Sequence, residues 1–418
     1  MTLVGNAVLW LAAAGVLSST GYLALLLVAA VRFRIRQQRT AEVDRAVLPG
    51  ASMMKPLCGL EPGLEANLES FFLQDYPEFE VLFGTRDASD PALEVVRRLC
   101  ARYPKVRTRT VFSGEPDKPN AKVCTLREMF KVAAYEHVVI SDSDVGVEPD
   151  YLRWVIAPLL DEGTGLAMCL YRGVPTGGLW AGLEALGMSV EMTAGVVAAA
   201  NLGEVDFALG PTMATTRSVV ERIGGIGVLA DYCADDYVLG NRIAKLGLKV
   251  VICDEVIDHY VLNRSFWASM RHQKRWMLST RFSIPAGHAS SVLGFAIPFG
   301  LLAALGGWLS GQVLLGWALL GWTVVNRMVM SIVVGWGVVR DRRALTWCWL
   351  YPLRDLMGFG FWLASYAEDT VEWRGERYRL VRDGLMIRQC GAKLATEQTP
   401  GKQKSEDPKL EEDHSRLV

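Results

Sequence analysis

The chain has 418 residues, 51% hydrophobic and 21% charged, with a formal net charge of −1. That length holds two domains, or one domain plus membrane spans, and the positive mean hydropathy is high for a soluble enzyme. A balanced charge with no Lys/Arg run among aromatics gives no reason to expect nucleic acid, and eight cysteines scattered from Cys58 to Cys390, without Cys-x-x-Cys or a Cys/His cluster, argue for reduced cytosolic thiols rather than a zinc site or a disulfide framework.

Residues 1–31 carry no charge, enough to span a bilayer of roughly 30 Å. Arg32, Arg34, Arg36 and Arg39 follow, so the positive-inside rule puts the N-terminus outside and the chain after Arg32 in the cytosol. A cleaved signal peptide would carry its positive charge before the apolar stretch. From Ala51 the pattern is α/β: strands are expected over residues 52–57, 79–85, 106–112 and 137–141, and helices over 64–73, 91–102 and 121–134. Strands alternating with helices imply a parallel, doubly wound sheet, whose ligands bind beyond the C-terminal strand ends. Asp87 follows the second strand, and Asp142-Ser143-Asp144 follows the last. Two carboxylates one residue apart repel unless a cation lies between them, and Mg²⁺ or Mn²⁺ shares oxygen ligands with substrate phosphates. Asp87 by itself also fits a turn residue or helix cap. Asn120 and Lys122 open the helix before that last strand, a placement suited to a phosphate or, equally, to a capped helix with a solvated lysine.

Residues 184–200 mix Met188, Val190, Met192, Val196 and Val197 with Ala and Gly, and only Glu184 and Glu191 are charged. The segment reads as interfacial, as the wall of an apolar acceptor groove, or as a buried core helix. A short strand over 205–209 is expected before Gly210-Pro211-Thr212-Met213. Asp235-Asp236-Tyr237 opens a helix, where a carboxylate serves the dipole. In a cleft with Tyr232, such a pair suits a general base. Residues 266–281 carry apolar Trp267, Met270, Met277 and Leu278 and cationic Arg271, Lys274, Arg275 and Arg281, an amphipathic helix fitted to anionic headgroups and compatible with a role at a pyrophosphate. Residues 282–326 contain no Arg, Lys, Asp or Glu and break at Ser310-Gly311-Gln312, which makes a pair of spans. The second continues to Val339 with Asn326 and Arg327 inside, where a charge must snorkel or face a polar cavity. A third apolar stretch, 346–366, is interrupted by Pro352, Arg354 and Asp355 and lies between two basic segments, so it is expected to be re-entrant or interfacial. The resulting division is an anchor over 1–39, a catalytic domain over 50–285, a helix pair over 286–340, the third segment with a basic motif over 341–392, and a disordered tail over 393–418.

Taken in order, Lys55-Pro56-Leu57, Asp75-Tyr76-Pro77, Asp87 with Asp90-Pro91, Asn120-x-Lys122, Asp142-Ser143-Asp144, Asp235-Asp236-Tyr237, Arg275-Trp276 and Trp373-Arg374 through Arg377-Tyr378-Arg379-Leu380 resemble the ceramide glucosyltransferase family over about residues 52–380. A bacterial branch that glycosylates hopanoids is similar around Cys169-Leu170-Tyr171-Arg172-Gly173 and His272-Gln273-Lys274-Arg275-Trp276. The resemblance implies a GT-A fold: a Rossmann-like α/β domain with a mostly parallel sheet, cytosolic, carried by N-terminal and C-terminal transmembrane helices. It implies that Asp87 contacts the uridine, that Asp142 with Asp144 holds a divalent metal on the pyrophosphate, that Asp236 is the catalytic base, and that Arg275 and Trp276 close over the nucleotide.

Lys55, Asn120, Lys122 and Asp235 complete the expected UDP-sugar contacts. His272 stands where the family has Gln or Arg, and the hopanoid branch tends to have His there. Asp144 stands where ceramide enzymes can have Gly, so metal binding through both carboxylates is a local inference. The expected activity is transfer of glucose or N-acetylglucosamine from a UDP-sugar to a membrane lipid hydroxyl, ceramide or hopanoid, with inversion. The expected location is a bacterial inner membrane, with the catalytic domain cytosolic. The alternatives are a processive polysaccharide synthase and a non-catalytic nucleotide-binding membrane regulator.

Overall fold

The computed structural model describes residues 2–40, 48–203, 205–263, 265–373 and 376–389; the tail expected over 393–418, and Arg374 of the basic motif, lie outside them. Eight strands form the main sheet: β1 (Ala51–Pro56), β2 (Phe79–Thr85), β3 (Arg107–Phe112), β4 (His137–Ser141), β5 (Val145–Gly146), β6 (Thr164–Pro175), β7 (Thr212–Thr216) and β8 (Lys249–Val261), in the order β3-β2-β1-β4-β7-β6-β8-β5. Val138, Val139 and Ile140 of β4 are fully buried, as a β-branched run between two covered faces must be. β4 pairs in parallel with β1, and β1 with β2, so Pro56, Thr85 and Ser141 end at one edge.

The sheet departs from a purely parallel one at β7. β6 runs the same way as β4 and ends at that edge. The helix Leu179–Leu202 that follows does not carry the chain back across the sheet. The next strand therefore enters from that same edge and is antiparallel, with Thr212 opposite Ser141. The strand expected over 205–209 is not there: those residues are irregular, and β7 begins after Pro211, which has no N–H for the ladder. The result is still the mostly parallel α/β sheet of a GT-A domain.

Residues 184–200 belong to the helix Leu179–Leu202, which is mostly buried and broken by a π turn at Met188–Met192. Its burial fits the core-helix alternative, while Leu179, Met192 and Leu202 stay exposed. Gly173 of β6 allows the close approach, since a Cβ there would meet the Ala185 backbone at 2.6 Å, and the Gly173 N–H donates to Ser189 Oγ at 3.0 Å.

Among the described residues three helices are long and apolar enough to cross a membrane: Thr2–Gln37, Leu179–Leu202 and Val313–Trp336. Pro285–Gly294 and Ile297–Ser310, bent by 53°, can make a fourth. Arg32 donates to Asn201 Oδ1 (2.7 Å) and Gln37 to the Asp254 carbonyl (2.6 Å), so the end of the first helix is pinned to the α/β domain. The third apolar stretch forms the helix Tyr351–Ser365, whose 15 residues fall short of the roughly 20 a bilayer needs. Arg327 does not snorkel. It is buried against Asp355 at 3.1 Å. A small antiparallel sheet follows, β9 (Thr370–Trp373), β10 (Glu376–Leu380) and β11 (Met386–Arg388), and packs Val371, Tyr378, Leu380 and Met386 on Cys233 and Leu278.

Candidate active site

The turn after β4 is held from below and from the side. Lys55, on β1, is fully buried. Its Nζ donates to Ser141 Oγ at 3.2 Å and to the Asp142 carbonyl, and lies 3.6 Å from the Phe71 ring. Burial lowers its amine to about 7 against the pull of Asp142 and Asp144. Lys55 is therefore a strut under the Asp142-Ser143-Asp144 turn. Asn120 is also fully buried. Its Oδ1 accepts from the Val123 N–H at 3.2 Å, capping the helix Ala121–Val132. Its Nδ2 donates to the Tyr232 carbonyl (3.0 Å) and to Asp235 Oδ1 (3.2 Å). Asn120 thus latches the Asp235 loop to the helix. Asp235 is itself buried.

Lys122 is not solvated. Its Nζ is 2.6 Å from Asp142 Oδ1 and 3.6 Å from Asp235 Oδ2. Burial pulls this amine down, but the charges of Asp142 and Asp235 outweigh it and hold Lys122 protonated. Asp236 opens the helix Asp235–Lys245. Its Oδ2 accepts from the Gly210 N–H at 2.9 Å and its Oδ1 from the Tyr237 N–H at 2.8 Å. A Cβ on Gly210 would sit 3.1 Å from Asp236 Oδ2 and 3.7 Å from Asp142 Oδ2. The two carboxylates therefore meet across Gly210, and the missing side chain leaves the gap between them open. Burial and the neighbouring Asp235 raise Asp236 to about 6, against Lys122.

Asp144 Oδ2 lies 3.1 Å from His259 Nε2, while Asp144 Oδ1 is buried with no partner among the described residues. His259 comes from β8 and packs edge-on to Tyr171 at 5.3 Å. It is a residue that sequence reasoning missed, since nothing in the alternation of β8 marks it. Among the described residues no three His, Cys, Asp or Glu side chains form a ready ligand set. The donors here are Asp142 and the unpartnered Asp144 oxygen, which fit a hard cation that takes its remaining ligands from phosphate oxygens and water.

Asp87 is exposed at the end of β2. Its Oδ1 accepts from the Ser89 N–H at 2.8 Å and from the Ser89 hydroxyl, which hold its carboxyl below the usual range. Arg275, on the helix Phe266–Ser283, stacks 5.6 Å from the Trp373 ring. Burial lowers its guanidinium, and Cys233 and the charges of Asp236, Asp142 and Asp235 oppose that shift. Trp276 packs on His272 at 4.3 Å between ring centroids. Arg271, His272, Lys274 and Arg275 line a cavity of about 730 Å³ whose far wall comes from β9 and the residues before it. The structure thus brings Asp142, Asp235, Asp236 and Lys122 together, sets Asp144 beside His259, leaves Asp87 at the same sheet edge, and places Arg275 on the wall of the cavity under Trp373.

The glycosyl transferase family 21 model matches residues 11–409. Ceramide glucosyltransferase 1 of Caenorhabditis elegans is 25% identical over 342 residues, 80% of this chain and 72% of that one. The ceramide glucosyltransferase of Komagataella phaffii is 33% identical over 134 residues, 30% of this chain and 26% of that one. Among solved structures, a mannosyltransferase from Pyrobaculum calidifontis in complex with GDP-Man and Mn²⁺ gives a TM-score of 0.44 at 17% identity, covering 84% of this chain and 98% of that one. With the family model matched along nearly its whole length, and ceramide glucosyltransferases among its relatives, the chain belongs to glycosyl transferase family 21.

Proposed function

We propose that this glycosyltransferase moves a hexose, glucose or N-acetylglucosamine, from a UDP-sugar to the hydroxyl of a membrane lipid, with inversion. The observation that carries the reading is the pair of carboxylates, Asp236 and Asp142, meeting across Gly210; in this reading Asp236 faces the acceptor and Asp142 the phosphates. Relatives named ceramide glucosyltransferases support a lipid acceptor, ceramide or a hopanoid. The apolar helices beside the domain supply a route for it from the bilayer. We place the catalytic domain on the cytosolic face of a bacterial inner membrane, following the arginines after the first helix.

In this reading Asp236 takes the acceptor hydroxyl proton. A carboxylate raised to about 6 is ionised at neutral pH and still more basic than an ordinary one. The hydroxyl oxygen then forms its bond to the anomeric carbon as the bond to UDP breaks, and the electron pair leaves with UDP. Arg275 and Lys122 meet the negative charge that develops there. Asp87 receives the uridine, and Trp276 with His272 walls the site beside Arg275. Asp142 and Asp144 would hold Mg²⁺ or Mn²⁺, which when bound supplies further neutralisation of the pyrophosphate. One displacement at an α-linked donor gives a β-glycolipid.

The test is incubation of membranes carrying the full chain with each labelled UDP-sugar, followed by mass spectrometry of the lipid. One β-linked hexose per lipid is expected, and a polymer or binding without turnover overturns the reading. Asp236→Asn should lower transfer by about 10²-fold or more while UDP-sugar binding persists, and retained turnover would remove Asp236 as the base.

A further inference from the structure

Glu184 is a buried carboxylate, 1% exposed, on a helix that is otherwise apolar enough to cross a membrane. A charge in such a place is costly unless it is fully hydrogen-bonded. Three donors surround it: Asn263 Nδ2 (2.9 Å) and His272 Nδ1 (2.6 Å) at Oε1, and Ser269 Oγ (2.6 Å) at Oε2. Ser269 is itself fixed by Gln273 Nε2 at 2.8 Å. Asn263 Nδ2 also lies 2.9 Å from His272 Nδ1, but the shorter contact, 2.6 Å to Oε1, is to a carboxylate oxygen that only accepts, so His272 Nδ1 carries a hydrogen. Nε2 of the same ring makes no hydrogen bond among the described residues, and the ring lines the cavity beside Arg275 with Trp276 against its face. In the neutral ring with Nδ1 protonated, Nε2 is an acceptor.

We infer that Glu184 is a positioning residue: through Nδ1 it fixes the tautomer and ring orientation of His272, so that Nε2 accepts a hydrogen bond from a substrate hydroxyl in the cavity. The hydroxyl belongs to the sugar or to the lipid head, which share this chemistry. The inference rests on the proposed transfer reaction. It gives a physical reason for a glutamate inside an apolar helix, and for a histidine three residues before Arg275.

The experiment measures kcat and both KM values of the full-length membrane protein with the UDP-sugar and lipid that the wild type uses. Glu184→Gln keeps the shape but supplies a donor in place of an acceptor, so either tautomer becomes possible. It should lower kcat about tenfold or more, with the melting temperature held at the wild-type value. His272→Gln should lose a similar factor. Adding Glu184→Gln to His272→Gln should change kcat by less than about twofold, because the glutamate then has no ring to position. A purely structural role would instead give multiplying losses and a lower melting temperature in both backgrounds, and would overturn the inference. A raised KM for the UDP-sugar assigns the hydroxyl to the sugar, and a raised KM for the lipid assigns it to the acceptor. Should Glu184→Gln not fold, His272→Gln decides alone: a tenfold loss at wild-type melting sustains the inference, and wild-type kcat overturns it. A wild type that transfers no sugar overturns the reaction itself, whereas a wild type that transfers sugar beside multiplying losses overturns only the role of Glu184.

Discussion

At the scale of single residues, the basicity of Asp236 is set by burial and by neighbours pulling in different directions. Burial and the charge of Asp235 push it up, Lys122 pulls it down, and the balance is about 6. A base must be ionised to accept a proton, so the rate of transfer should fall as pH drops through about 6 and level off above it. Replacing Lys122 by Met removes the one cation among these influences and leaves only the Tyr237 and Gly210 N–H groups to oppose the raising effects. The acid limb of kcat/KM should then move upward, by about one pH unit. A pH–rate profile of wild type and Lys122→Met checks this, and a limb that stays in place or moves downward would separate Lys122 from the base. Lys122 was legible as a cation at a helix start. Its pairing with Asp142 and Asp235 was not, because spacing along the chain says nothing about which strand end faces the helix. The same holds for Lys55 and Asn120: a motif marks them, and only burial tells a strut or a latch from a ligand contact.

At the scale of elements, the small C-terminal sheet is part of the site without contributing to its chemistry. The Cys233 N–H donates to the Gly384 carbonyl at 3.0 Å and the Met386 N–H to the Asp231 carbonyl at 2.8 Å. The sheet therefore grips the loop that runs into Asp235 and Asp236, while Val371 and Leu380 pack on the helix that carries Arg275. Leu380 is 1% exposed. Leu380→Asp puts an unpaired charge into this contact at a cost of several kcal/mol, more than so small a sheet can bear. The sheet should detach locally while β1 to β4 stay folded. Hydrogen exchange should show the Cys233 and Met386 amides losing protection, and transfer should fall together with them; unchanged protection at both amides would refute the grip. Legibility differed sharply between elements. The β-branched run 137–141 was read to the residue, because a buried central strand has little freedom of composition. β7, Thr-Met-Ala-Thr-Thr, offers no such run, and the preceding apolar residues 205–209 drew the expectation away from it. β9 to β11 were visible only as a motif, since short edge strands of mixed polarity carry little periodic signal.

At the scale of the whole molecule, the apolar helices are assembled around charges that hydropathy alone reads as interruptions. Arg327 and Asp355 lie on the helices Val313–Met330 and Tyr351–Ser365, both almost wholly buried. Arg327 also donates to the Gly294 carbonyl at 3.0 Å. Asp355 Oδ2 accepts from the Ala296 and Ile297 N–H groups at 3.1 and 2.9 Å, at the bend where the helix Ile297–Ser310 begins. One ion pair thus ties three apolar helices together and satisfies the backbone exposed by the break in one of them, as backbone away from water requires. The unequal load on the two partners gives an ordered prediction. Arg327→Leu leaves Asp355 charged but still capped by two N–H groups. Asp355→Leu leaves a buried guanidinium without its counter-charge, though still bonded to the Gly294 carbonyl and Asn326 Oδ1, and leaves those two N–H groups without an acceptor, so it should be the more destabilising. Each single change should cost on the order of 3–5 kcal/mol, and the double replacement should cost less than their sum by at least about 2 kcal/mol, because it removes both charges at once. Unfolding of the three variants in detergent micelles measures the cycle. Additive losses, or a costlier Arg327→Leu, would mean that the pair does not organise the helices and that the bend is held by apolar packing alone.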